Sequence, residues 1–195
     1  MICEIVEIGG HKGFVCSSGR RAARCKFCQG SFDLECDYPT RGGTCDARMC
    51  RACALHIEPN EDYCPTHAPF VFVIGERKIV IVNKRNVSKG TCVDRTTPLG
   101  NPFKLKGEDT PEARAECLAK YRRWLWALIS HEPSSKEVFM LTDLARRIKT
   151  EDLTLTCFCA PKSCHAQIIA RAIKWLVEGN SSANEPMSQK VEVKL

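Results

Sequence analysis

The chain has 195 residues, 44% of them hydrophobic and 27% charged, which is ordinary globular material for one or two small domains. Fourteen cysteines are not ordinary. The opening MICEIVEIGG has neither the basic nor the apolar region of a secretory leader, and no run is long enough to span a bilayer, so a disulfide scaffold and a membrane protein are both set aside. The expectation is a cytoplasmic protein with reduced, largely metal-bound cysteines.

The net charge of +6 hides a division. Residues 1–69 hold eight Lys/Arg against nine Asp/Glu, whereas residues 70–195 hold twenty-one against fourteen. Seven thiolates and two Zn²⁺ would take the first part to roughly −4. That weighs against the first part as a grip on nucleic acid, because phosphate binding rests on local positive charge. Only Arg20, Arg21, Arg24 and Lys26 remain there as a limited basic face.

Residues 1–24 alternate weakly around a GG pair and read as a short hairpin, with Cys3, His11 and Cys16 as bystanders to the cysteine-rich segment. Between Cys25 and His67 lie eight soft ligands: Cys25, Cys28, Cys36, Cys45, Cys50, Cys53, Cys64 and His67. Three two-residue gaps, Cys25/Cys28, Cys50/Cys53 and Cys64/His67, let tight turns aim two side chains at one point, and eight ligands make two closed tetrahedral zinc sites. A cross-braced arrangement joins Cys25 and Cys28 to Cys50 and Cys53, and Cys36 and Cys45 to Cys64 and His67; a sequential arrangement is the competitor. The large apolar residues here, Phe27, Phe32, Leu34, Met49, Leu55, Ile57 and Tyr63, are too few to hold a fold by burial alone, so metal binding is expected to supply it.

A second domain is expected over residues 70–179, after the AP dipeptide at 68–69. FVFVI at 70–74 and KIVIVN at 78–83 read as a hairpin, and about two dozen residues without periodicity come next. Thr110 and Pro111 cap and open a helix with Cys117, Leu118, Tyr121, Trp124, Leu125 and Leu128 at helical spacing. A second helix is expected over 137–149, a strand over LTLTC at 153–157, and a last helix from Cys164 or His165 to Glu178, stopped by Gly179. Residues 180–195 read as a solvated, disordered tail.

Two stretches of this domain carry candidate chemistry. From Arg77 to Lys106 there are eight Lys/Arg and one acid, Asp94, interleaved with turn formers and asparagines. Asn83, Arg85, Arg95 and Asn101 are candidate ligand contacts for a phosphate or nucleotide. In CFCAPKSCH at 157–165, Cys164 and His165 should open a helix, where backbone N–H groups favour an anion and a thiol loses its proton more easily. Cys164, His165 and Asp94 are therefore the candidate catalytic groups. A third metal held by Cys157, Cys159, Cys164 and His165 is disfavoured, because residues two apart in a strand sit about 6.6 Å apart, and Cys157 is then core.

IVNKRN, PLGNPF at 98–103 and CFCAPKSCHAQIIA together resemble the domain-of-unknown-function family DUF4326 over about residues 78–178. The resemblance implies an α/β fold with a pocket and implies no reaction; where it expects an IGR-like element, this chain has CVDR at 92–95 and keeps only the arginine. YCPTH at 63–67 is similar to zinc-binding pieces of phage proteins, which points to a viral or mobile-element source and the host cytoplasm. The expected class is α+β: a cross-braced or treble-clef-like double zinc module at 1–69, then a small Rossmann-like α/β domain with three helices. The leading functional expectation is a nucleotide-like or phosphorylated ligand in the α/β domain, with hydrolysis or transfer at a nucleoside or nucleotide as the first reaction class. The alternative is a non-catalytic zinc adaptor that binds nucleic acid or a host protein through the basic 77–106 surface.

Overall fold

The computed structural model describes residues 23–179 throughout and the backbone of two strands before them, β1 (Ile2–Ile8) and β2 (His11–Ser17), which pair antiparallel from Ile2 opposite Ser17 to Ile8 opposite His11. The expected tail at 180–195 and the side chains of Cys3, His11, Cys16, Arg20 and Arg21 lie outside the described residues. The chain divides into two compact units, Met1–Tyr38 with Cys45–Pro65, and Pro39–Thr44 with Thr66–Leu195.

Little regular structure holds the first unit. Single bridges join Arg24 to Ser31 and Leu34 to Met49, and β5 (Leu55–Glu58) pairs antiparallel with β6 (Glu61–Tyr63). Strands β3 (Pro39–Thr40) and β4 (Gly43–Thr44) form a two-residue hairpin that groups with the second unit. Of the seven large apolar residues expected to line the first unit, only Met49 and Tyr63 are buried; Tyr38 joins them, and Leu55 is exposed. Three large side chains are far short of an independent core.

The second unit is built on a four-stranded sheet in the order β7 (Val71–Ile74), β8 (Arg77–Asn83), β10 (Leu153–Cys157), β9 (Thr91–Cys92). β7 and β8 form the expected antiparallel hairpin, while β8 and β9 both run parallel to β10. Ile79, Val80, Ile81 and Val82 are all buried, the unbroken apolar run of a strand covered on both faces. β9 lies within the stretch read as a long loop; two residues are too short for any period to show.

Helix α1 (Pro111–His131) is capped by Thr110, whose hydroxyl accepts from the Ala113 N–H at 3.2 Å, and it buries Tyr121, Leu125 and Leu128. α2 (Lys136–Arg147) starts from a Ser135 cap and buries Val138, Leu141, Leu144 and Ala145. α3 (His165–Glu178) packs on β7, β8 and β10 and against α2, burying Ile168, Ile169, Ala172 and Ile173, with Leu176 half-buried. No described helix is long and apolar enough to cross a membrane.

Candidate metal centres and ligand cavity

The eight soft ligands of the first 69 residues gather as two groups, Cys25, Cys28, Cys50 and Cys53, and Cys36, Cys45, Cys64 and His67, with the donor atoms of each group all within 4.8 Å of one another. This is the cross-braced pairing; the sequential one is not formed. Local turns aim the ligands: Cys25 N–H donates to Gly30 O at 2.8 Å, Gln29 takes a left-handed φ of 64°, and Cys53 N–H donates to Cys50 O at 3.0 Å. Four ligands at a zinc–sulfur distance of 2.3 Å would place tetrahedral sulfurs about 3.8 Å apart, and Cys28 Sγ lies 3.6 Å from Cys50 Sγ.

The shells around the thiols also suit a cation. Burial opposes a Cys25 thiolate, yet the backbone N–H groups of Phe27, Cys28 and Cys50 bond its sulfur and bring its pKa down to about 6. The Cys64 N–H donates to Cys36 Sγ at 3.2 Å, but burial and then the adjacent Cys64 thiol push Cys36 up to about 12. Closely packed thiols hold their protons unless a metal replaces them.

The second unit has a cavity of about 370 Å³ lined by Asp94, Arg95, Thr96, Asn101, Leu105, Arg114, Cys117, Leu118, Cys157, Phe158, Cys159, Cys164 and His165, a size suited to a small molecule. It opens beyond the carboxyl ends of β9 and β10, beside the start of α3, where parallel sheets place their ligands. Asp94, Arg95, Asn101, Cys164 and His165 are thus brought together, whereas Asn83 and Arg85 do not line the cavity.

Asn83 is occupied as a clamp. Its Nδ2 donates to Phe158 O (3.1 Å) and Ala160 O (2.8 Å), and its Oδ1 accepts from Arg85 N–H (3.0 Å), which fixes the turn after β10 to the end of β8. The Arg85 guanidinium and the Lys84 ammonium lie over the half-exposed Phe158 ring, 5.9 and 5.3 Å from its centroid.

Asp94 is likewise committed. It accepts from the Thr96 hydroxyl and N–H (2.9 Å to the nitrogen) and from Lys84 Nζ at 2.9 Å. These bonds, the Thr96 hydroxyl foremost and then Lys84, hold its carboxyl well below the usual carboxylate range. Asp94 is a fixed negative charge that shapes the turn after β9 and a weak proton acceptor. Arg95 donates from Nε to Asn101 O and from Nη2 to Phe103 O, both at 3.1 Å, and Tyr121 donates to Leu99 O at 2.7 Å, so the LGNPF loop is held from both sides. Gly100 is required there: a Cβ would lie 2.2 Å from Asp94 O.

His165 is buried, donates from Nε2 to Val93 O and meets Tyr121 edge-on at 5.3 Å. Burial keeps it neutral and outweighs the Val93 carbonyl, lowering its pKa. The three cysteines differ sharply. Cys164 is 1% exposed, and the Cys157 and Cys159 sulfurs together with burial raise it well above an ordinary thiol, against the lowering that a helix start alone would give. Cys159, half-buried at the cavity wall, is shifted the other way: the neighbouring Cys157 and Cys164 thiols, and after them the Arg114 guanidinium, lower its pKa far below an ordinary thiol despite burial.

Arg114 carries no local sequence signal. Arg114 stands one turn into α1, bonds Asp109 (2.6 and 2.9 Å) and reaches Ser163 O (3.1 Å) in a part of the chain 49 positions away. Its placement explains the Thr110 cap, which starts the helix so that this guanidinium meets the turn after β10.

No curated protein and no solved structure matches the chain. Residues 81–175, which span β8 from its middle to the last turn of α3, match the family model described as Domain of unknown function (DUF4326), the family its motifs resemble.

Proposed function

We propose that residues 66–179 bind a nucleotide-like or phosphorylated small molecule in the cavity, and that two Zn²⁺ ions fill the cysteine groups and fold the first 69 residues. The carrying observation is the cavity itself, which sets two guanidinium groups, Arg95 and Arg114, beside a half-exposed aromatic ring, Phe158, at the carboxyl edge of parallel strands. Guanidinium forks suit phosphate oxygens, and an exposed ring suits a base. The strand order with helices on the sheet fits a small Rossmann-like arrangement, and the two metal groups fit a cross-braced, treble-clef-like module. In this reading Arg95 and Arg114 hold the anion, Asn101, Asn83 and Asp94 keep their loops in place, and Cys164 and His165 form the floor. Hydrolysis or transfer at a nucleoside or nucleotide remains the first reaction class for a catalytic role.

Calorimetric titration of the zinc-loaded chain with nucleoside monophosphates, diphosphates and inorganic phosphate tests the reading. The expected result is one site whose affinity is lost in Arg95→Gln and holds between 50 and 200 mM salt. Absence of any such binding, with nucleic-acid affinity that falls ~10³-fold over the same salt range, would establish the adaptor reading through the basic 77–106 surface instead.

A further inference from the structure

The polar groups that line the ligand cavity are mostly engaged with their own surroundings. Arg95 donates to Asn101 O and Phe103 O, and Arg114 to Asp109 and Ser163 O, although the charge of both still favours an anion. Asp94 accepts from Thr96 and Lys84. Asn101 Oδ1 accepts from the Phe103 N–H at 2.9 Å, and its Nδ2 reaches Cys117 Sγ at 3.5 Å. His165 is the exception. A carbonyl oxygen can only accept, so the bond to Val93 O puts the ring proton on Nε2 and leaves a bare lone pair on Nδ1. Tyr121 meets the ring edge-on and spends its hydroxyl on Leu99 O, so it offers Nδ1 no donor. Among the described residues no protein group donates to Nδ1, and no enclosed side-chain nitrogen or oxygen lacks a partner. Nδ1 is therefore not enclosed: in a cavity-lining residue only 6% exposed, it opens onto the cavity.

We propose, on the reading that the cavity holds a phosphorylated ligand, that His165 sets its specificity: Nδ1 accepts a hydrogen bond from a hydroxyl or amino group of that ligand. The substrate class is then a phosphorylated compound that carries such a donor, as a nucleotide does on its sugar or on an amino-bearing base. The Val93 carbonyl fixes the tautomer, and the packed Tyr121 ring holds the imidazole in place. Burial lowers the pKa of the ring and keeps it neutral, so the lone pair is free at pH 7. A buried acceptor left empty costs the complex its desolvation, which is how such a site rejects an analogue without the donor. The two kinds of contact divide the work. Arg95 and Arg114 select the phosphate, whereas His165 separates a ligand with a donor from one without.

Calorimetric titration of the full-length, zinc-loaded chain tests this with adenosine 5′-monophosphate, its 2′,3′-dideoxy analogue, and purine riboside 5′-monophosphate, which lacks the 6-amino group. The wild type is expected to bind one analogue about tenfold or more weakly than the parent, the dideoxy compound for a sugar donor and purine riboside for a base donor. His165→Gln keeps an amide donor where Nε2 meets Val93 O and offers no acceptor at the Nδ1 position. It should bind all three alike, at the weaker affinity. Equal binding of all three by the wild type, or undiminished discrimination in His165→Gln, would overturn the proposal while leaving a phosphate site that Arg95→Gln abolishes. A wild-type chain that binds none of the three overturns it together with the reading beneath it. Long-range proton–nitrogen spectra of the wild-type imidazole rings decide the matter even where the variant fails to fold. An Nε2–H tautomer whose Nδ1 signal moves on adding the parent nucleotide is expected; an Nδ1–H tautomer, or an Nδ1 signal unmoved by bound nucleotide, would overturn the proposal.

Discussion

Gly100→Ala is expected to damage the ligand cavity without touching any cavity side chain directly. The new Cβ would sit 2.2 Å from Asp94 O, 2.5 Å from Arg95 Cα and 2.8 Å from Asp94 C, all backbone atoms that no rotamer change can move away. Ordinary contact begins at 3.4 Å, so the two loop segments must part by about 1.2 Å. That separation strains the Gly100 N–H bond to Thr97 O (2.9 Å) and the Tyr121 bond to Leu99 O (2.7 Å). Overpacking of about 1–3 kcal/mol plus one weakened buried hydrogen bond of about 1 kcal/mol gives roughly 2–4 kcal/mol. Urea unfolding followed by tryptophan fluorescence reads this cleanly, because Trp124, Trp126 and Trp175 all belong to α1 and α3. Gly43→Ala, with no atom within 4 Å of its Cβ, is the control and should change stability by less than about 0.5 kcal/mol. A Gly100→Ala protein that unfolds with the wild type would refute the close-approach argument.

Other substitutions separate the remaining roles. Tyr121→Phe leaves the Leu99 carbonyl without its buried donor and should cost about 1–3 kcal/mol in the same urea assay. Because the folded Asp94 carboxyl is held below its ordinary value of about 3.9, it stabilises the fold above that pH and loses this contribution as pH falls further. Asp94→Asn should therefore lower the urea midpoint at pH 7 and flatten the loss of stability between pH 4 and pH 2. Cys25→Ser and Cys50→Ser should lose one and the same metal ion, and Cys36→Ser and Cys64→Ser the other, in metal analysis after gel filtration; loss of a shared ion by Cys25→Ser and Cys36→Ser would favour a sequential pairing. Metal chelation should abolish the ordered structure of the first unit, read by proteolysis between Cys25 and Cys64, while the tryptophan signal persists.

What the sequence made legible was local. A two-residue gap between cysteines is itself the geometry of a metal knuckle, and Thr110 with Pro111 is itself a helix start, so both survive in the fold. The interleaved metal pairing needed three-dimensional contacts to decide between two orders of the same ligands. Asn83 looked like a ligand contact because an asparagine after a strand is a polar group near the right edge, but its amide is consumed by the Phe158 and Ala160 carbonyls. Cys164 does open α3 as expected; its pKa is nevertheless raised, because the neighbouring thiols and burial outweigh the helix end. Arg114, which lines the same cavity, comes from the far side of an excursion through two helices, a distance over which no residue spacing carries information.

The most direct measurement is the native mass of the chain purified without chelator, set against its denatured mass. Two zinc ions per chain, together with a displaceable mass in the range of a nucleotide or phosphorylated metabolite, is the predicted result. A chain with no bound metal, or with two metals and no ligand acquired on incubation with nucleoside phosphates, would contradict the account at its first or its second unit respectively.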